Sequence, residues 1–360
     1  MVGVIEILIT LITLVFSFAL TGIITALWIK VAKRKGLVGY DMNKTTKQPE
    51  LYARIESVLW DKDKSLLLND KPKVAEAGGI AFIIALTLTL FLYVFIKTFI
   101  IKSTTHYIEI LTLIVTVLLA GLLGFIDDIL GWKKGIAGWQ KLLLTLPIAI
   151  PLAVINAGHS TMVLPFIGSV DFGLLYPLLL VPLAIIGCTN GYNLLAGYNG
   201  LEAGLGIIIF SAFTGLFLIT QQPYLALISG IIVFALLGFL LFNFYPAKVF
   251  PGDSLTYALG SLIAIFAVLG NAEKFGIILF IPFIIEGILK ARSKFKAENF
   301  AKQGPYGLMP PYKQTYSLTH AALKLLNKLK KKTTELDVVF ALYAFQLFFV
   351  CLAFLSLVLV

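Results

Sequence analysis

The chain has 360 residues, of which 59% are hydrophobic and 13% charged, with a mean hydropathy of +0.94 and a formal net charge of +10. Soluble domains carry roughly 25% charged residues, so this composition excludes an ordinary soluble globule and indicates a polytopic membrane protein. Two cysteines in apolar settings, Cys188 and Cys351, are too few for a disulfide framework or a thiolate metal centre.

Ten runs with few or no charges come near the length needed to cross about 30 Å of hydrocarbon. In chain order they are 3–29, 75–97, 107–126, 141–157, 173–190, 201–220, 224–243, 255–270, 275–290 and 336–360. The first lacks the basic start and small-residue cleavage site of a secretory signal, so it reads as a retained span. No solenoid-type repeat and no Pro- or Gly-rich linker divides the chain, which reads as one integral membrane domain, 1–360.

Placing both termini outside assigns only Lys97, Lys102 and Lys274 of the 29 basic residues to the outer side. That asymmetry is the positive-inside signature, and it explains the net charge better than a nucleic-acid partner does. The outer segment Ser160 to Gly173 alternates β-prone pieces and predicts a small external hairpin. Near the C-terminus, Leu318, Ala321, Ala322, Leu325, Leu326 and Leu329 share one helical face, opposite Lys324, Asn327, Lys328 and Lys330 to Lys332. This helix either lies among anionic headgroups on the inner surface or packs on the protein.

The unusual polar residues all fall in the inner segments. They include Gly39 to Lys44, the Glu76-Ala77-Gly78-Gly79 start of the second span, and Asp127-Asp128 with Lys133, Lys134 and Lys141. Further along come Asn190 to Glu202, Asn243 to Asp253, and Arg292, Lys294 and Lys296. Two carboxylates at the end of an apolar run are costly unless they meet a cation, a metal or a phosphate-bearing substrate. Asp and Asn oxygens suit Mg²⁺, Lys and Arg suit phosphates, and glycines let backbone N–H groups approach a diphosphate. The inventory fits phosphoryl transfer at the membrane face.

Each residue also has a plainer reading. The aspartates could simply end a helix, Asn190, Asn193 and Asn199 could cap or break helices, and Asp253 after Pro251-Gly252 could N-cap the eighth span. Glu76 could be a helix-start acid, and Glu286 a buried paired acid or a site residue. Lys133 and Lys134 read as positive-inside anchors, and Tyr306 to Tyr316 as a surface loop.

Three ordered motifs carry a resemblance. Gly124-Phe125-Ile126-Asp127-Asp128, the stretch Asn193 to Glu202, and Pro246-Ala247-Lys248-Val249-Phe250-Pro251-Gly252-Asp253 resemble the polyprenyl-phosphate N-acetylhexosamine-1-phosphate transferases. The likeness runs from about Gly36 to Lys296, and Ala196 with Asn199 places it nearer the eukaryote-like, dolichyl-phosphate-using branch than the bacterial one. It implies transfer of a HexNAc-1-phosphate, foremost GlcNAc-1-phosphate, from a UDP-sugar to dolichyl or polyprenyl phosphate. UMP is released in this first step of N-glycan lipid precursor assembly.

It also implies roles. Asn193 and Asp253 hold Mg²⁺, or Mn²⁺ in its place; Asp127 contacts the attacking phosphate with Asp128 supporting it, and Lys141 lies near the phosphates. Gly197 and Asn199 read the uracil and Phe250 packs on it. Glu76 and Asn190 join the substrate site, and Arg292, with Lys294 nearby, takes a diphosphate contact. The family's Arg-His-Arg cluster is replaced by Ala291-Arg292-Ser293-Lys294-Phe295, and the first inner loop carries an insertion from Gln48 to Leu68. The implied setting is an archaeal cell membrane, or the endoplasmic reticulum of a eukaryote, with the site facing the cytoplasm; a homodimer is compatible with it. The alternative is a secondary transporter for an anionic or ion-coupled solute, which expects charges near the midplane and two related halves.

Overall fold

The structure, a computed structural model, describes residues 2–44, 71–130, 138–164, 168–304 and 307–358. The insertion from Gln48 to Leu68 and the anchors Lys133 and Lys134 lie outside these residues.

Backbone polar groups in hydrocarbon must be satisfied internally, and the chain accordingly crosses as helices. Long α1 (Val2–Lys35), α2 (Gly79–Ile96, extended by a π turn over Lys97–Ile101) and α3 (Tyr107–Leu130) come first. α4 (Gly138–Thr145), a 3₁₀ turn (Leu146–Ala149) and α5 (Ile150–Val154) follow. After an external hairpin come α6 (Val181–Leu194, entered by a π turn over Tyr176–Leu180), α7 (Leu201–Ile219), α8 (Pro223–Asn243), α9 (Gly252–Leu269) and α10 (Glu273–Ala291). The short helix α11 (Leu318–Leu329) and the long helix α12 (Glu335–Val358) end the chain.

Eight of these helices are long and apolar enough to cross a bilayer among the described residues, against ten spans expected from the sequence. The chain is a multi-pass, all-α membrane protein. The expected span 141–157 is broken because Pro147 and Pro151 fall inside it, leaving two short helices and a 3₁₀ turn. The expected span 275–290 forms as α10, but Glu273, Lys274, Glu286 and Lys290 dilute its apolar character.

Among the described residues, three small antiparallel sheets decorate the bundle. β1 (Val38–Tyr40) pairs with β2 (Lys73–Ala75), and β5 (Lys302–Gly304) with β6 (Gly307–Met309), both at one end of the bundle. At the other end β3 (Thr161–Leu164) pairs with β4 (Gly168–Asp171), forming the expected hairpin. His106 stacks on Tyr224 at this second end, where Asn271 accepts the His159 N–H.

Small residues let the helices close on one another, as in other membrane bundles. Along α1, the buried hydroxyls of Thr13, Ser17, Thr21 and Thr25 recur every fourth residue, and Ser17 Oγ donates to the Ile231 carbonyl of α8 at 2.9 Å. α9 is the central helix, packed against α3, α6 and α2, with 83% of its spanning window buried. Two glycines set its depth. A Cβ on Gly124 of α3 would lie 2.4 Å from the Asp253 carbonyl, and one on Gly260 of α9 would lie 2.3 Å from that of Cys188.

α11 corrects the expected amphipathic face. Leu318, Thr319, His320, Ala322 and Leu323 are buried, whereas Leu325 and Leu329 are 58% and 72% exposed. Its partners α10, α12 and β6 cover a face rotated from the one the leucine spacing suggests.

Candidate active site

The site forms where α3 ends and α9 begins. Gly252 has φ +69°, a backbone conformation that costs little only without a Cβ. A Cβ there would also sit 2.3 Å from Asp128 Oδ2. With that space open, Asp128 reaches the first turn of α9, accepting the Asp253 N–H at 2.7 Å on Oδ1 and the Ser254 N–H at 3.2 Å on Oδ2. A carboxylate from another helix thus fills the N-terminal cap that the plainer reading of the sequence offered Asp253. The orphan N–H groups and the helix dipole both favour its negative charge.

The side chain of Asp253 is thereby left for other work. Lys141 of α4 donates to Asp253 Oδ2 at 2.9 Å and is also hydrogen-bonded to Asp127 Oδ2, so three helices meet at one ammonium group. Asn193 of α6 joins from the next turn: its Oδ1 accepts the Thr256 hydroxyl at 2.9 Å, and the same hydroxyl oxygen lies 3.2 Å from the Asp253 carbonyl. One turn earlier on α6, Asn190 Nδ2 donates to Thr145 Oγ1 at 3.1 Å, fixing α6 to the helix that carries Lys141.

A strap closes the site beside α9. The Phe250 N–H donates to the Ala75 carbonyl at 2.7 Å, and the Gly78 and Gly79 N–H groups donate to the Phe250 and Pro251 carbonyls at 2.9 and 2.8 Å. Glu76 lies in this strap, its carbonyl accepting Trp28 Nε1 at 2.8 Å and its carboxyl crossing the face of Gly39. Burial raises the Glu76 pKa above the ordinary carboxylate value. The half-buried Phe250 ring belongs to the same strap.

Gly197 and Asn199 belong to a neighbouring polar network. The Gly197 N–H donates to Glu202 Oε1 at 2.7 Å, and its carbonyl accepts Asn43 Nδ2 at 3.2 Å. The Asn199 N–H donates to Glu335 Oε1 at 2.7 Å, and its Nδ2 donates to Asp41 Oδ2 at 3.0 Å. Asn299 clamps the preceding turn by donating to the Leu194 and Ala196 carbonyls, both at 2.8 Å. Glu335 and Asn299 escaped the sequence reading. An acid at the head of a span and an Asn in an irregular segment carry no local signal of a partner more than 100 residues away.

Arg292 and Lys294 stand apart. Both are exposed, and Arg292 Nη1 donates to the Thr315 carbonyl at 3.3 Å. Among the described residues neither hydrogen-bonds an aspartate of the site. Glu286, left open from sequence, is a buried cap for α11: its Oε2 accepts the Leu318 N–H at 2.7 Å and the Ser317 hydroxyl at 3.1 Å.

An apolar cleft of about 340 Å³ runs between α6 and α10, from Gly191 and Leu194 near Asn193 up to Cys188 and Phe280. A second cleft of similar volume continues from Cys188 to Met162 and Tyr176 at the far end.

The sequence profile described as glycosyl transferase family 4 matches residues 110–271, from α3 through the end of α9. A Saccharolobus solfataricus protein provisionally named UDP-N-acetylglucosamine–dolichyl-phosphate N-acetylglucosaminephosphotransferase is 32% identical over 352 residues, 97% of each chain. The chain belongs to glycosyl transferase family 4. The Dictyostelium discoideum UDP-N-acetylglucosamine–dolichyl-phosphate N-acetylglucosaminephosphotransferase is 30% identical over 59% of each chain. A phospho-N-acetylmuramoyl-pentapeptide-transferase of Halalkalibacterium halodurans is 39% identical over 49% of this chain and 57% of its own. In this family 4 member the matched segment contains Asp127, Asp128, Lys141, Asn193 and Asp253, the residues that the fold gathers around the start of α9.

Proposed function

We propose that the chain transfers N-acetylglucosamine 1-phosphate from UDP-N-acetylglucosamine to dolichyl phosphate, releasing UMP and leaving a lipid-linked diphosphate sugar. The observation that carries this reading is the meeting of Asp127, Lys141 and Asp253 from three helices at one end of the bundle, in a chain that aligns almost end to end with a dolichyl-phosphate transferase relative.

The donor set fits a hard divalent cation. The Asp253 carboxylate stands on the first turn of α9, and the Asn193 amide oxygen meets Thr256 one turn further on; these are the ligand types Mg²⁺ and Mn²⁺ prefer. They are the residues that would hold it, and when bound it would offset charge on the diphosphate. Lys141 supplies a fixed cation beside the same carboxylates, suited to a phosphate oxygen. Asp128 orients the first turn of α9 and thereby Asp253. A lipid phosphate is largely ionised near neutral pH, so its attack on the sugar-bearing phosphate requires little proton removal. Asp127 would orient that nucleophile. Gly197 and Asn199, in their own network, are assigned to the base and ribose side of the nucleotide, with Phe250 and Glu76 lining the strap.

The prenyl tail stays in hydrocarbon, since extracting it costs about 0.8 kcal/mol per CH₂. The cleft along α6 and α10 offers it a lateral path toward the Leu194 end of α6. The site end faces the cytoplasm and both termini lie outside, a topology supported by the basic last turn of α1 (Lys33, Arg34, Lys35) at the site end. The transporter alternative finds no support, because the charges gather at one end of the bundle.

The test is purified protein with Mg²⁺, dolichyl phosphate and a panel of labelled UDP-sugars, scored for UMP and lipid product. UDP-N-acetylglucosamine should give product, and Asp253→Ala and Asp127→Asn should abolish it in folded protein. Solute flux without product from any UDP-sugar would return the chain to the transporter class.

A further inference from the structure

We infer that α11 and the turn Ser293 to Lys296 form a docking surface for the anionic headgroups of the bilayer in which the chain sits. This rests on the multi-pass fold and not on the transferase reading.

α11 is held on the protein by one face. Glu286 and Ser317 cap its start, and Leu318, Ala322 and Leu323 are buried. Away from that face, Leu325 and Leu329 stand one above the other, four residues apart, and are 58% and 72% exposed. Lys328, Lys331 and Lys332 are exposed beside them with no partner among the described residues. Lys324 and Lys330 are otherwise engaged, with the Lys313 carbonyl and with Asp337.

A second element repeats the pattern. At the end of α10 the chain turns through two left-handed residues, Lys294 (φ 53°) and Phe295 (φ 59°). The Phe295 N–H donates to the Lys290 carbonyl at 2.9 Å and the Lys294 N–H to the Ala291 carbonyl at 2.8 Å. Non-glycine residues adopt this conformation at a cost, and here it leaves the Phe295 ring 62% exposed between two exposed lysines.

Both elements sit at the level where spanning helices meet water. α10 ends at Ala291 and α12 begins at Glu335. The stretch Lys330 to Thr334 that joins α11 to α12 reaches at most about 17 Å when extended, so Leu329 cannot lie far from the boundary. Large apolar side chains flanked by lysines at that depth are the composition of an interfacial segment. Charge selects the occupant. Between Glu298 and Glu335 the sequence holds seven lysines and no carboxylate. A second copy of the chain would bring an identical basic field against this one, whereas anionic headgroups complement it.

The test uses the full chain with Cys188→Ala and Cys351→Ala, a nitroxide placed through Leu329→Cys or Phe295→Cys, and reconstitution in phosphatidylcholine bilayers with or without phosphatidylglycerol. Collision with oxygen reports immersion, and collision with a water-soluble nickel chelate reports exposure. Phosphatidylglycerol should lower nickel accessibility several-fold and raise that of oxygen at both positions. The combined Lys328→Gln, Lys331→Gln and Lys332→Gln variant, whose altered side chains are exposed and spare the packed face, should return Leu329→Cys to its value in neutral lipid. Equal nickel accessibility in the two bilayers overturns the inference. So does protection independent of lipid charge that vanishes when the protein is diluted to one copy per vesicle, which would assign the surface to a second copy.

Discussion

Asp128 of α3 accepts the backbone N–H of Asp253 at 2.7 Å, so one aspartate sets the helix start on which another is displayed. The adjacent pair Asp127-Asp128 divides its labour: Asp127 meets Lys141, while Asp128 turns to the backbone of α9.

Replacing Asp128 therefore acts through geometry. Asp128→Ala removes a side-chain cap, a change worth about 1–2 kcal/mol of stability, and lets the first turn of α9 relax. Turnover should fall steeply and the thermal midpoint should drop. Asp128→Asn keeps one acceptor oxygen and should lie between Asp128→Ala and wild type in thermal unfolding. An Asp128→Ala enzyme with unchanged stability and turnover would remove this role.

Lys141 should be needed for charge, not for folding alone. Lys141→Met leaves the Asp127 and Asp253 carboxylates without their shared ammonium group, and product formation should fall by about two orders of magnitude, the scale for loss of one preorganised electrostatic contact. Lys248→Met, an exposed change near the same end, should leave activity close to wild type. Comparable losses in the two would mean that Lys141 has no special place.

Gly252→Ala should be among the most damaging small substitutions in the chain. It adds a Cβ at φ +69° and directs it into Asp128 Oδ2. Gly36→Ala, also at positive φ but with open space around the added carbon, should cost only the backbone term of about 1 kcal/mol. Activity and thermal unfolding of the two variants measure the difference.

His320 predicts an acid limb in stability. Burial, with Lys290 and Lys324 nearby, pushes its pKa down from 6.5 to about 4, against the Glu298 carbonyl that favours protonation. The unfolded chain therefore binds the proton first. The His320 contribution to stability is complete above pH 6.5, declines as pH falls toward 4 and levels off below, a total of about 3 kcal/mol at 1.36 kcal/mol per unit. Unfolding midpoints measured across that window should show a slope that His320→Gln flattens.

Membrane class, the external hairpin and the gathering of the polar motifs at one end of the bundle were legible because each depends on local sums: hydropathy over a span, alternation over a strand, lysines near a helix end. Asp127, Asn193 and Asp253 were legible as motif residues for the same reason. The broken helix at Pro147 and Pro151 shows the limit, since apolar length alone cannot tell a crossing from a bent segment.

By itself, the order of residues determined that this chain lives in a bilayer and which motifs gather at one end of the bundle. Only the tertiary structure decided that Asp128 caps α9, that Lys141 joins carboxylates from two other helices, and that Glu335 and Asn299 hold the turn around Gly197. Those contacts depend on how closely helices cross at Gly124 and Gly260. A crossing distance is a property of two surfaces together, which neither segment encodes alone.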